Sequence, residues 1–342
     1  MPRRLSAEIA GGWLRLLGNC AIYGSIVIVY FVLVRLLYNQ SIPILARPGG
    51  LISLPAWEVR RRSEFRISSP ETDCPCCIVT SSPPEPELYG YVTEEELPWF
   101  IEPPAHLTQL QDEFGAQYLV IAFRTILPEP LFGEEENIAV AASYLAGSVL
   151  LPGRTASLNH IIGPYIEERG YKEGPTYIGT RIVSTVAGGV CKIASTLYNV
   201  VVAGDFQVLE RHPHSMTVPY VPPGRDATVA WGAKDFRFRN NRDTPVVFWA
   251  SSSEGVLYIA MYGQFVPPKV QWHQKELQRQ PARMMRRANP ELAKGTTRLI
   301  EGHDALTVKT WITVTYPNQP TECRDLGTDH YRAMPHILEF GP

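Results

Sequence analysis

The chain has 342 residues and a formal net charge of −2, with 34 Asp and Glu against 32 Lys and Arg. That balance leaves no basic footprint for nucleic acid and excludes it as a partner. Hydrophobic residues make up 45% of the sequence, enough to bury the core of one large or two small domains.

In chain order, residues 16–34 come first, an uncharged run rich in Ile, Val, Tyr and Phe. At about 1.5 Å per residue it matches the bilayer hydrocarbon thickness, so residues 1–38 read as a cytoplasmic tip and a transmembrane anchor. Arg3, Arg4 and Arg15 precede the span and favour a cytoplasmic N-terminus. Residues 39–117 are proline-rich with little apolar periodicity and read as a stalk or linker. This stretch holds Cys74, Cys76 and Cys77, which join Cys323 as disulfide candidates and leave Cys191 as the spare thiol of an oxidising compartment. The CxxC spacing also suits half of a metal site. No second Cys/His pair at zinc spacing accompanies it, and no metal or other cofactor is assigned.

Order is expected from Tyr118, where Tyr118 to Ile126 reads as a strand. Glu134 to Glu136 suit a first helical turn, and Ile138, Ala141, Ala142 and Leu145 form the apolar stripe of the helix that follows. A second helix is expected over Ile193 to Ala203. Strand-like runs then fall at Gln207 to His212, Ala227 to Trp231, Asp235 to Asn240, Pro245 to Ala250 and Val256 to Tyr262. Short runs at this spacing predict an α+β domain over 118–265, a mainly antiparallel sheet with a few helices. Residues 266–288 read as a basic connector. Residues 289–342 read as a small all-β module, with strands at Leu306 to Tyr316 and Ile337 to Phe340.

The chemistry concentrates at Ala187-Gly188-Gly189-Val190-Cys191-Lys192. A cysteine opening a helix meets unpaired N–H groups and the positive end of the macrodipole, which favour its thiolate. Gly188 and Gly189 would let a substrate carbonyl approach the sulfur, with amides through Lys192 stabilising the oxyanion. A cysteine packed simply as a small hydrophobe is the alternative. His212 and His214 would share one face of an extended segment, so either could serve the thiolate as base. Arg225 and Asp226 follow a rigid Pro-Pro-Gly turn. The guanidinium could hold a substrate carboxylate and the carboxylate could orient a histidine, or both could simply pair with strand neighbours.

Taken together, Asn137-Ile138-Ala139, Gly188-Gly189-Val190-Cys191, Ser195-Thr196-Leu197-Tyr198-Asn199, Glu210-Arg211-His212-Pro213-His214-Ser215 and Tyr220-Val221-Pro222-Pro223-Gly224-Arg225-Asp226 closely resemble the VanW family. The tail resembles the G5-type β extension that often follows such domains. The resemblance implies a bacterial cell-envelope role, and with the anchor read above the expectation is a single-pass protein of the bacterial cytoplasmic membrane with its soluble part on the periplasmic or cell-wall side. It further implies action on peptidoglycan stem peptides as a cysteine L,D-transpeptidase-like acyltransferase forming or trimming 3-3 cross-links, with Cys191 as nucleophile. A non-catalytic peptidoglycan-binding or assembly module linked to vancomycin-type resistance is the other reading. Ala187, Lys192 and Ala194 depart from the family's usual GGGVCQVS, and Lys192 would place a cation beside the thiol.

Overall fold

Two tightly packed cores lie on opposite faces of one five-stranded antiparallel sheet. Its order is Tyr89–Tyr91, Tyr118–Ile126, Val256–Gly263, Val246–Ser253, Ser148–Leu150. The computed structural model describes residues 88–127, 129–178 and 181–342, all within one unit of the chain, Thr72–Pro342. Successive strand residues point to opposite faces, so Phe123 enters one core and Ala122 the other, as do Phe248 and Val247. Strands covered on both sides read as near-continuous apolar runs, the pattern of Val246–Ser253 and Val256–Gly263. These two join through Glu254 and Gly255, both at positive φ (52° and 74°), a two-residue hairpin turn matched to strand twist.

Helices Glu134–Leu145 and Cys191–Ala203 fill the larger core. Ile193, Leu197, Val200 and Val201 are fully buried, each contributing about 1.5–3 kcal/mol against exposure. Helix Ala105–Phe114 covers the opposite face with Leu107 and Leu110. A small sheet of Thr155–Ser157, Arg237–Arg239 and Gln207–Glu210 meets helix Cys191–Ala203 through its strand Gln207–Glu210, and a hairpin of Glu173–Ile178 with Arg181–Val186 meets helix Glu134–Leu145 through its first strand. The expected α+β class, mostly antiparallel, is what the chain adopts.

Three local expectations are corrected. The described part of the expected linker carries strand Tyr89–Tyr91, a 3-10 turn at Glu94–Glu96 and helix Ala105–Phe114. Pro103 and Pro104 sit at the helix entrance, with Pro104 as N-cap, where a missing N–H is harmless. The expected connector 266–288 is instead strands Lys269–Gln280 and Met284–Ala288. The first pairs with Ala305–Thr315 and the second with His336–Phe340, and both stay largely exposed, so their residues lack the apolar pattern of a buried strand. Glu322–Tyr331 is a further strand, completing a sheet with Lys269–Gln280 and Ala305–Thr315. Finally, Ala227 to Trp231 forms no strand. Ser195 Oγ accepts from the Ala227 N–H and lies 3.0 Å from its carbonyl, so a side chain replaces the sheet partner.

The expected membrane span lies outside the described residues, as do Cys74, Cys76 and Cys77. Among the described residues, no helix is long and apolar enough to cross a membrane.

Candidate functional site

Cys191 begins its helix as expected, and a tightly specified turn delivers it there. Gly189 has φ 99°, and a Cβ on Gly188 would lie 2.2 Å from the carbonyl atoms of Gly174. The paired glycines are therefore demanded by backbone geometry, one by positive φ and one by contact with the neighbouring hairpin. Asn137, fully buried, pins the turn: its Nδ2 donates to the carbonyls of Gly188 and Lys172 at 2.9 Å each, and its Oδ1 accepts from Lys172 N–H at 2.7 Å. The expected oxyanion amides are only partly available. Gly188 N–H donates to Thr185 and Lys192 N–H to Gly189, whereas among the described residues the amides of Gly189 and Cys191 have no backbone acceptor.

His214 is the histidine brought to the thiol. Its Nδ1 and its backbone N–H both meet Asp226 Oδ2 at 2.7 Å, leaving the other ring nitrogen for the sulfur. Asp226 is 1% exposed, and its Oδ1 accepts from Arg211 Nη2 at 3.1 Å and Tyr331 Oη at 2.6 Å. Burial alone would push the thiol up, but hydrogen bonding and charge from His214, with Lys234 contributing, hold Cys191 below its ordinary value. Burial likewise opposes the imidazolium, yet Asp226 and Cys191 raise His214 to about 9. Burial would raise Asp226, and His214 and Arg211 bring it down to about 2. Asp226 is thereby held as the carboxylate and His214 as the imidazolium at neutral pH, and the Cys191 thiol is shifted toward its thiolate. In its thiol form, Cys191 Sγ lies 3.5 Å from the Val229 carbonyl as a donor.

The remaining expected residues sit elsewhere. Strand Gln207–Glu210 ends before His212, so the two histidines do not share a face. His212 Nε2 pairs with Glu210 Oε1 at 3.0 Å, half exposed. Lys192 is 1% exposed, its Nζ donates to the Gly255 carbonyl at 2.8 Å, and burial lowers its pKa to about 8. The lysine whose charge reaches the thiol is Lys234, behind the larger effect of His214, and it was unremarked in the sequence. Arg225 Nε donates to Asn199 Oδ1 at 2.8 Å, and its guanidinium lies 4.7 Å from the Trp272 ring centroid, a packing role instead of substrate capture. Asp226 lies behind His214, the placement in which a carboxylate can orient a histidine.

Three residues in strand Glu322–Tyr331 or just beyond it also build the site from behind. Asp329 holds Arg211 with two bonds of 2.6 and 2.7 Å, Tyr331 holds Asp226, and Arg332 N–H donates to the Ser215 carbonyl at 2.7 Å. Gly224, at φ +88°, takes Thr310 so closely that a Cβ would lie 1.9 Å from its hydroxyl. The sequence does not reveal these partners, because no local pattern links Arg211 to a residue 118 positions away.

Cys191 and His214 open into a cavity of about 610 Å³ lined by Tyr165, Met216, Trp231, Lys234 and His303 among others. A thiolate beside an imidazolium fixed by a buried carboxylate can attack a carbonyl and return a proton to the leaving group. Among the described residues, no group of three or more His, Cys, Asp or Glu is placed to hold a metal ion.

Residues 133–262 match the family model described as VanW like protein. The chain is 35% identical over 155 residues to the Uncharacterized protein YoaR of Bacillus subtilis (strain 168), covering 45% of this chain and 50% of that protein. It is 26% identical over 120 residues to the Vancomycin B-type resistance protein VanW of Enterococcus faecalis (strain ATCC 700802 / V583), covering 34% and 44%. The chain thus spans about half the length of the curated relatives it matches. Among solved structures, the IgA1 Protease G5 domain matches at TM-score 0.15 and 21% identity, over 22% of this chain and 92% of that one. HP0197-G5 matches at TM-score 0.12 and 17% identity, over 21% and 99%.

Proposed function

We propose that this chain, whose residues 133–262 form a VanW-like domain, is a cell-envelope cysteine acyltransferase that acts on peptidoglycan stem peptides. The observation that carries the reading is the Asp226, His214, Cys191 arrangement facing an open cavity. Residues 16–34 would anchor the protein in the bacterial cytoplasmic membrane and leave this site on the wall side.

In the reaction, Cys191 Sγ attacks the carbonyl carbon of a donor peptide bond. The carbonyl oxygen becomes an oxyanion held by the N–H groups of Gly189 and Cys191. When the C–N bond breaks, His214 gives its proton to the departing amine, and the acyl group remains as a thioester on Cys191. An acceptor amine then attacks the thioester carbonyl and passes a proton to His214, and the thiolate leaves. Asp226 keeps the imidazole oriented and stabilises its cation throughout. A thioester conserves the free energy of the broken peptide bond, which suits a compartment without nucleotide triphosphates. Water as acceptor would give trimming by the same residues.

The test is product analysis. Disaccharide tetrapeptides incubated with the protein should yield 3-3 linked dimers or trimmed stems by chromatography and mass spectrometry, and Cys191→Ala should yield neither. Unchanged substrates across several stem chemistries, with intact binding to sacculi, would leave a non-catalytic wall-binding module.

A further inference from the structure

A second cavity, about 680 Å³, adjoins the Cys191 cavity and shares Trp231 and Lys234 with it. Trp231 is 51% exposed, an uncommon state for the largest apolar side chain. It is not a loose loop tip. A Cβ built on Gly163 would lie 2.6 Å from the indole carbons, so the ring rests directly on the Gly163 backbone. His160 and Tyr165 meet it edge-on, each with ring centroids 6.4 Å away. The indole is thus fixed while half its surface stays open.

The carboxylates around it are already satisfied. Asp235 accepts from Ser157 Oγ at 2.5 Å and from the N–H groups of Asn159 and Phe236 at 2.9 and 2.8 Å. Glu210 is occupied by His212, by the Asp235 N–H at 3.2 Å and by Arg237 at 3.8 Å. A cationic ligand would find these carboxylates engaged, while Lys234 adds a cation where the two cavities meet. An uncharged ligand with one apolar face and a rim of hydroxyl or amide groups would find a flat aromatic platform edged by hydrogen-bonding side chains, including Thr155 and His160. A pyranose ring has that shape, with axial C–H groups on one face and hydroxyls around its edge.

We propose that this cavity is a saccharide subsite that takes an N-acetylated hexose of the glycan carrying the stem peptide, while the peptide enters the cavity of Cys191. The assignment rests on the proposed acyl transfer for its biological meaning but not for its binding. The shared Trp231 and Lys234 let one ligand span both cavities, so sugar recognition would position the peptide carbonyl over the thiol. The competing occupant is an acceptor peptide with no sugar.

The experiment titrates the full chain bearing Cys191→Ala with an N-acetylglucosamine trimer and, separately, with a free tetrapeptide, by calorimetry. The trimer should bind, and adding Trp231→Ala should weaken it by about tenfold or more. Thr155→Ala, at a residue that lines the second cavity and not the first, should weaken the trimer measurably and leave the tetrapeptide unchanged. It should also raise KM for disaccharide tetrapeptide without raising KM for free tetrapeptide in the Cys191-intact protein. No trimer binding, trimer binding indifferent to both variants, or an equal loss for the tetrapeptide would overturn the assignment, the last in favour of an acceptor groove. Trimer binding without any acyl transfer would instead sink only the proposed function. Acyl transfer indifferent to the sugar would sink only this inference.

Discussion

Tyr331 Oη donates to Asp226 Oδ1 at 2.6 Å and accepts from the Gly224 N–H at 2.6 Å, tying the strand Glu322–Tyr331 to the carboxylate that fixes His214. The β module is therefore part of the site's support. Tyr331→Phe keeps the ring and deletes both bonds. It should cost about 1–3 kcal/mol in denaturant unfolding and slow Cys191 alkylation several-fold, because a freed carboxylate can turn away from the imidazole. Equal labelling rates in both proteins would separate the module from the site.

The two histidines should differ sharply. His214→Ala removes the proton carrier and should lower acyl-enzyme formation by on the order of 10²-fold or more. His212→Ala loses only a half-exposed pair with Glu210 and should change the rate by less than about twofold. Stopped-flow measurement of thioester formation checks both, and a reversed order would return the base to His212.

The pH dependence has a defined sign. His214 is raised from 6.5 to about 9, so its stabilising contribution is complete below about pH 6.5 and is lost as pH rises through about 9. The stability difference between wild type and His214→Gln should therefore narrow from about pH 6 to about pH 9.5 in urea unfolding. Asp226 is lowered from 3.8 to about 2, so its contribution holds above about 3.8 and fades as pH falls through about 2. Turnover should rise as Cys191 ionises and fall as His214 loses its proton near pH 9, giving a bell whose alkaline limb disappears in His214→Gln.

Gly188→Ala places a methyl carbon 2.2 Å from the Gly174 carbonyl, where only backbone could yield. It should destabilise the protein by about 3 kcal/mol or more in thermal unfolding. Gly232→Ala, where nothing lies within 4 Å, should cost far less and reflect only its positive φ of 72°.

Cys191 was legible because its signal is local: paired glycines, then a helical apolar stripe. The sheet strands from Tyr118 and Val256 were legible for the same reason, since burial on both faces writes apolar runs into the sequence. The choice of His214 over His212 was not, because it depends on a strand stopping at Glu210 and on Asp226 reaching back twelve residues. The pairing of Lys269–Gln280 was hidden by exposure, which removes the alternation that identifies a strand. Lys192 misled for a further reason. Adjacency in sequence to Cys191 suggested adjacency of charge, whereas successive helical residues point about 100° apart and Lys192 runs to Gly255.

The central claim is that Cys191 carries the acyl group, and intact-protein mass spectrometry after brief mixing with a disaccharide tetrapeptide tests it most directly. The account predicts a mass increase equal to the donor acyl group, mapped to Cys191 by digestion, reversed by hydroxylamine and absent from Cys191→Ala. Turnover without any adduct on Cys191, or an adduct that persists in Cys191→Ala, would contradict it.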